Sequence, residues 1–333
     1  MTTPQTATIP GDTDPRPAMT PLVRFLAVAS LVAETGIVVT GGAVRLTASG
    51  LGCPTWPRCT AESFVSTPEM GVHGVIEFGN RLLTFVLAAV AVATLVAVWR
   101  LRRREPMIFR LAVGLLAGIP AQAVIGGISV WMQLNPWVVG LHFLVSALMV
   151  AAATLLVKRT GRVRDAERGV TRPPSGAGRT LRQLAGAIAV FTGVAVFLGT
   201  IVTGTGPHAG DHGAIRHPFD ADLVTRLHAF PVYLLVAALV IATVLAFRRP
   251  EVGARLRRAL VLADAVAVLQ AVLGFTQHFT GLPVVLVALH MLGACLAVAA
   301  AANVVDEVVA RPMAPRGSAP TGRESMGSAL RSR

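Results

Sequence analysis

The chain has 333 residues, 53% of them hydrophobic and only 14% charged, with a mean hydropathy of +0.65. Soluble proteins carry about 25% charged residues; a soluble globular domain is therefore excluded, as are a disordered chain and, with three cysteines, a disulfide scaffold. The formal charge of +13 would suit nucleic acid, but the basic residues cluster between long apolar runs, which indicates an integral membrane protein with no nucleic-acid partner.

A helix crosses the roughly 30 Å of membrane hydrocarbon with about 20 apolar residues, and eight stretches qualify, at about 22–43, 78–99, 108–130, 136–157, 182–203, 223–247, 257–277 and 283–305. The fold class is thus all-α, with eight transmembrane helices. Residues 1–21, rich in Pro and Thr, read as a disordered cytoplasmic segment without a signal-peptide pattern. The first span leads to Arg45 and to Cys53-Pro-Thr-Trp-Pro-Arg-Cys59, where five intervening residues can close a disulfide. Free thiols are the plain alternative. A zinc site lacks a second cysteine pair nearby.

Before the second span stands His73, and at its start Glu77-Phe-Gly-Asn80-Arg81. A carboxylate at such a rim is a candidate acid–base or charge-stabilising group, or simply an acid at a helix N-terminus. Arg45 and Arg81 flank the same rim and suit carboxylate ligands, or snorkel. The fourth span carries His142 in Gly-Leu-His-Phe-Leu, and a basic linker, 158–181, follows. The loop after the fifth span holds His208, His212 and His217, which read as solvated. His228 enters the sixth span, His278 ends the seventh, and His290 stands in Ala-Leu-His-Met-Leu of the eighth. Glu34 and Asp264 lie inside spans and read as interhelical hydrogen-bond partners; Cys295 reads as a packing residue. Residues 306–333 read as a disordered cytoplasmic tail.

Arginines crowd the second–third, fourth–fifth and sixth–seventh connections and the tail. The positive-inside rule then makes both termini cytoplasmic and places the Cys-containing loop and the histidine loop outside the cell membrane, among membrane lipid.

The chain also repeats itself. Val139–Ala153 (VGLHFLVSALMVAAA) matches Val287–Ala301 (VALHMLGACLAVAAA), and Gln122-Ala-Val-Ile-Gly126 matches Gln270-Ala-Val-Leu-Gly274 at the same offset. Val39-Thr-Gly41 resembles Val202-Thr-Gly204. Two duplicated four-helix bundles are expected, at 22–157 and 182–305. Pairing Arg81 with Arg226 sets Asn80 opposite Thr225; keeping the offset of the fourth and eighth spans sets it opposite His228. An ionisable residue in mid-membrane costs roughly 2.5–3.5 kcal/mol, so two matched intramembrane histidines point to function. Single imidazoles from separate helices suit axial ligation of heme iron.

Thr40-Gly-Gly-Ala-Val-Arg-Leu-Thr-Ala-Ser-Gly-Leu-Gly-Cys-Pro-Thr-Trp-Pro-Arg-Cys59, followed by Glu77-Phe-Gly-Asn-Arg81, resembles the heme A synthase family, and the eight-helix duplication extends the likeness over about 22–305. The resemblance implies an oxidoreductase that converts the C8 methyl of heme O to the formyl group of heme A for terminal oxidases. It implies heme O as substrate in the first half and a heme b cofactor in the second, and work beside heme O synthase (protoheme farnesyltransferase) and cytochrome oxidase assembly. By the same likeness Glu77 is the catalytic glutamate, His142 the substrate-heme ligand, and Arg45, Asn80 and Arg81 belong to the substrate pocket. His228 and His290 are the heme b iron ligands. The family's Glu-x-x-His-Arg is here Glu77-Phe-Gly-Asn80-Arg81, so one histidine is missing, and His73 is the alternative ligand. The sixth-helix His-Arg is likewise Thr225-Arg226, with His228 one turn on. Two rivals remain: a diheme b-type cytochrome exchanging electrons with quinone, and a transporter built from repeats.

Overall fold

A computed structural model describes residues 19–170 and 174–309. The expected disorder of residues 1–18 and 310–333 lies outside the described residues, as does 171–173 of the linker. Eight long helices are present, each apolar enough to cross a membrane, and no strand occurs among the described residues. They are α1 (Pro21–Leu46), α2 (Gly71–Val98), α3 (Pro106–Trp131), α4 (Pro136–Glu167), α5 (Arg179–Thr205), α6 (Ala221–Arg248), α7 (Ala254–Phe279) and α8 (Val284–Val309).

Local chemistry sets the starts. Thr20, Asn135 and Asp220 cap α1, α4 and α6 by accepting from the backbone N–H of Val23, Trp137 and Leu223. Proline opens α1, α3 and α4, where its missing N–H costs no helical bond. In hydrocarbon every backbone group must be paired within the protein, which is why the apolar runs are helices throughout. Large apolar side chains face outward, Phe85 and Phe279 at 73% and 78% exposure, as lipid-facing surfaces require.

Three boundaries differ by four residues or more from those expected, and of the segment 1–21 expected to be disordered, residues 19–21 are ordered: Met19 is buried with its N–H donated to Glu167, Thr20 caps α1 and Pro21 begins it. Helix α2 begins at Gly71, seven residues before 78, so Glu77 and Asn80 lie within it rather than at its edge. Helix α4 continues from 157 to Glu167, taking ten residues of the expected 158–181 linker, and stops where Gly169 adopts a positive φ. Helix α8 runs to Val309, so residues 306–309 of the expected tail are helical, and Asp306, Glu307 and Val308 are buried. The cause is charge pairing. Arg162 meets Asp306 through both guanidinium nitrogens, Arg159 lies 3.4 Å from Asp306, and Lys158 lies 2.7 Å from Glu307.

Helices α1 and α3 each pack on α2 and α4; α5 and α7 each pack on α6 and α8. Each set has its own core, around Ile108 and Leu156 in the first and Ile188 and Leu260 in the second. The sets meet where α8 lies against α1 and α4, and where α4 touches α5. At that seam Met291 packs so closely on α1 that a Cβ at Gly42 would lie 2.6 Å from its Cε. Small residues of this kind let membrane helices approach. The hydrogen bond expected of Asp264 is made with Thr243 Oγ1, at 2.6 Å between α7 and α6.

Candidate functional site

In the second set, His228 on α6 and His290 on α8 each turn the imidazole onto a glycine of a neighbouring helix. His228 Nδ1 is 2.9 Å from the Ala195 carbonyl of α5. A carbonyl only accepts, so the proton sits on Nδ1 and the Nε2 lone pair is left for a ligand, the arrangement usual in metal-binding histidines. A Cβ at Gly199 would lie 3.2 Å from the ring, so glycine makes room for it. His290 rests in the same way on Gly274, where a Cβ would lie 3.3 Å from Cε1, and Gln270 Nε2 donates to the His290 carbonyl at 3.1 Å.

The first set repeats half of this. His142 rests on Gly126 with a would-be Cβ at 3.4 Å, and Gln122 Nε2 donates to the His142 carbonyl at 3.1 Å. Gln122 also donates to Ser146, which is alanine at the matching position of α8. The glutamines were visible in the sequence as part of a repeat; their work of fixing the histidine-bearing turn was not. In both sets the histidine Nδ1 is buried with no hydrogen-bond partner. An unpaired buried polar atom costs about 1–3 kcal/mol.

Asn80 is oriented away from any such duty. Its Oδ1 accepts from Thr40 Oγ1 of α1 at 2.8 Å, and Gly41 adjoins its amide nitrogen. Thr40 and Gly41 match Thr203 and Gly204 of α5, whereas His228 sits at Gly199, one turn deeper. Asn80 therefore shares its depth with Thr225, the pairing that also aligns Arg81 with Arg226. Gly36 matches Gly199, three residues before each Val-Thr-Gly, and nothing lies within 4 Å of the place its Cβ would take. His73 is exposed, with Nδ1 2.8 Å from Ser49 Oγ, one turn before Glu77.

Cys53 and Cys59 are joined by a disulfide, and Glu77 and Arg81 hold the loop they close. Buried Glu77 accepts from Cys53 N through Oε2 at 2.7 Å and from Arg81 Nε through Oε1 at 3.1 Å. Arg81 also donates to the carbonyls of Cys53, Thr55 and Arg58. The loop lies directly on α2 and α3: a Cβ at Gly52 would be 2.3 Å from the His73 carbonyl, and one at Gly127 2.4 Å from the Trp56 ring. Trp131 closes this contact, edge-on to Trp56, with Nε1–H donated to the Trp56 carbonyl at 3.1 Å.

Arg45, at the end of α1, ties that helix to α5 and to the loop that follows it. It donates to the His208 and Thr203 carbonyls at 2.6 and 3.0 Å, and Gly50 N donates to Gly210 O at 2.9 Å. Every nitrogen of Arg81 and two of Arg45 are thus engaged by backbone carbonyls and Glu77. The reading of the loop histidines as solvated holds for exposed His212 and is corrected for the other two. His208 Nε2 lies 2.9 Å from the Leu282 carbonyl, and His217 is buried between Trp137 and Phe219 with its backbone N–H on Gly204 O. Burial, and secondarily the Arg45 charge, hold the His217 imidazole below its usual range.

No group of three His, Cys, Asp or Glu side chains able to hold a metal ion occurs among the described residues. One or two imidazoles suffice only for iron that brings its own equatorial ligands, as heme does. The lone pair of His228, the unpaired Nδ1 atoms and the glycine cradles fit that group.

A family model of cytochrome oxidase assembly proteins, COX15-CtaA, matches residues 24–302. The chain belongs to this family. It is 25% identical over 285 residues to the heme A synthase of Listeria monocytogenes, covering 82% of this chain and 91% of that protein. It is 31% identical over 169 residues to the heme A synthase of Geobacillus thermodenitrificans, about half of each chain, and 24% identical over 273 residues to that of Bacillus pumilus, 78% of this chain and 86% of that one. The family match takes in all eight helices, and both the disulfide loop and the three intramembrane histidines fall inside it.

Proposed function

We propose that this protein is a heme A synthase, an oxidoreductase of the cell membrane that oxidises the C8 methyl of heme O to the formyl group of heme A. The observation that carries the reading is the paired set Gln122–Gly126–His142 and Gln270–Gly274–His290, with His228 added in the second half only. The duplicated halves then divide the work: His142 holds the substrate, and His228 with His290 hold a heme b. Bound there, heme b supplies one-electron redox chemistry. Both termini are cytoplasmic, which puts the disulfide loop outside, and the product passes to oxidase assembly from heme O delivered by heme O synthase.

The protein's own contribution is positioning and charge. Methyl-to-formyl oxidation, R–CH3 + H2O → R–CHO + 4 H+ + 4 e−, passes through an alcohol and a gem-diol that loses water, and its four electrons go to an external acceptor of the class of dioxygen or a quinone. Electron deficiency at that carbon is stabilised by a fixed negative charge in a low-dielectric pocket. Arg81 and the Cys53 N–H keep the Glu77 carboxylate in one place, with lone pairs remaining for a proton or a developing positive charge. Arg81 and Arg45 shape the roof of the pocket by holding the two loops over it.

The test is expression in a host that makes heme O but no heme A, followed by chromatography of extracted heme. Heme A is expected, and its loss in His228→Ala and His290→Ala together with the low-spin heme signal. Unconverted heme O in protein carrying both hemes would leave a diheme cytochrome as the function.

A further inference from the structure

We infer that the first-half site binds its heme through His142 alone and so keeps one axial position of the iron open to a small exogenous ligand, of the class of carbon monoxide. The inference rests on the reading of the two halves as heme sites and goes beyond it, because it makes the two sites different in kind.

Three observations carry it. In the second set two imidazoles rest on helix glycines, His228 on Gly199 and His290 on Gly274, whereas in the first set His142 on Gly126 is the counterpart of His290 and Gly36, the counterpart of Gly199, carries no ring. The helix pair α1–α2 holds nothing at Gly36, the position at which α5–α6 places the His228 ring on Gly199. The two side chains that could supply a second ligand in the first half are bound elsewhere: the Asn80 carboxamide oxygen is taken by Thr40 at 2.8 Å, and His73 is tied to Ser49 and exposed at the end of the bundle. A carboxamide is in any case a weak donor to iron beside imidazole.

The physical consequence is a difference of spin and reactivity. Iron between two imidazoles is six-coordinate and closed to added ligands. Iron on one imidazole stays high-spin and accepts them. Such a site also releases its heme more readily, which suits a substrate that must leave as product.

The experiment uses the full-length protein in detergent, with ferric heme added until binding saturates, then reduction and titration with carbon monoxide. Electron paramagnetic resonance of the oxidised form is recorded alongside. The expected result is one carbon monoxide bound per two hemes, and one high-spin beside one low-spin ferric signal. His142→Ala should remove carbon monoxide binding and the high-spin signal while sparing the low-spin one; His290→Ala should do the reverse. Leu83→His, at the position that aligning Arg81 with Arg226 sets opposite His228, should convert the high-spin signal to low-spin and weaken carbon monoxide binding by about tenfold or more, and it carries the test alone where His142→Ala does not accumulate. Two bound hemes that are both low-spin and do not bind carbon monoxide would overturn the inference and leave the synthase reading standing. A single heme at saturation, lost in His290→Ala, would overturn both.

Discussion

The carboxylate of Glu77 accepts a hydrogen bond from the backbone N–H of Cys53, 24 residues earlier in the chain, at 2.7 Å. One oxygen of a buried acid in α2 thus fixes the first residue of the disulfide loop, while the other pairs with Arg81 one turn on. Glu77, Arg81 and the loop they hold are a single mechanical unit.

Replacing Glu77 by Gln keeps the shape and an acceptor for Cys53 N but removes the charge that neutralises Arg81. Breaking one partner of a buried pair costs about 3–5 kcal/mol, here reduced by the partial exposure of Arg81 at 22%. The variant should insert, retain its second-half heme and accumulate heme O or the alcohol in place of heme A. Undiminished heme A would take Glu77 out of the mechanism, and loss of every heme would make it structural.

The disulfide should be both external and needed to hold this unit. A membrane-impermeant maleimide applied to intact cells should label Cys53 and Cys59 only after reduction. Labelling without reductant, or only in opened membranes, would contradict the proposed topology. Cys53→Ser with Cys59→Ser should loosen the segment 53–63, read as faster proteolysis there.

At the opposite end, Arg162 and Asp306 join α4 to α8 and thereby one set of helices to the other. Asp306→Ala leaves Arg162, with 7% side-chain exposure, without its main counter-ion, and a loss of about 3–5 kcal/mol is expected. A thermal unfolding midpoint unchanged from the parent protein would show that Glu307, 3.8 Å from Arg162, takes over the charge.

His217 gives the loop 206–220 a pH dependence. Its folded-state pKa lies below the unfolded value of about 6.5, so the unfolded loop binds the proton more tightly. The stability this histidine contributes is complete above about pH 6.5 and falls as the pH drops from there toward the folded pKa. Hydrogen exchange in 206–220 should therefore quicken between pH 7.5 and 5.5, after correction for intrinsic rates. His217→Phe keeps the ring contacts with Trp137 and Phe219 and should abolish the change. An equal response in that variant would assign it to another group.

Much of this was legible in the chain itself. Eight apolar runs determined eight helices, because lipid leaves the backbone no other way to pair its polar groups. The repeated Gln-Ala-Val-x-Gly and Leu-His segments marked His142 and His290, since a matched polar residue in a costly medium is retained for a reason. The spacing of Cys53 and Cys59 anticipated their bond. Tertiary structure alone decided the rest. Helix α8 reaches Val309 because its terminal acids find Lys158 and Arg162, residues far away in sequence. Arg45 bonds backbone carbonyls of α5 and the loop after it, and His217 is buried, for the same reason: their partners lie up to 163 residues away, and no local pattern encodes such distances. The depth of Asn80 was open to two registers one turn apart, because hydrophobic periodicity repeats each turn and cannot number the turns. Only the contact with Thr40, against that of His228 with Gly199, distinguishes them.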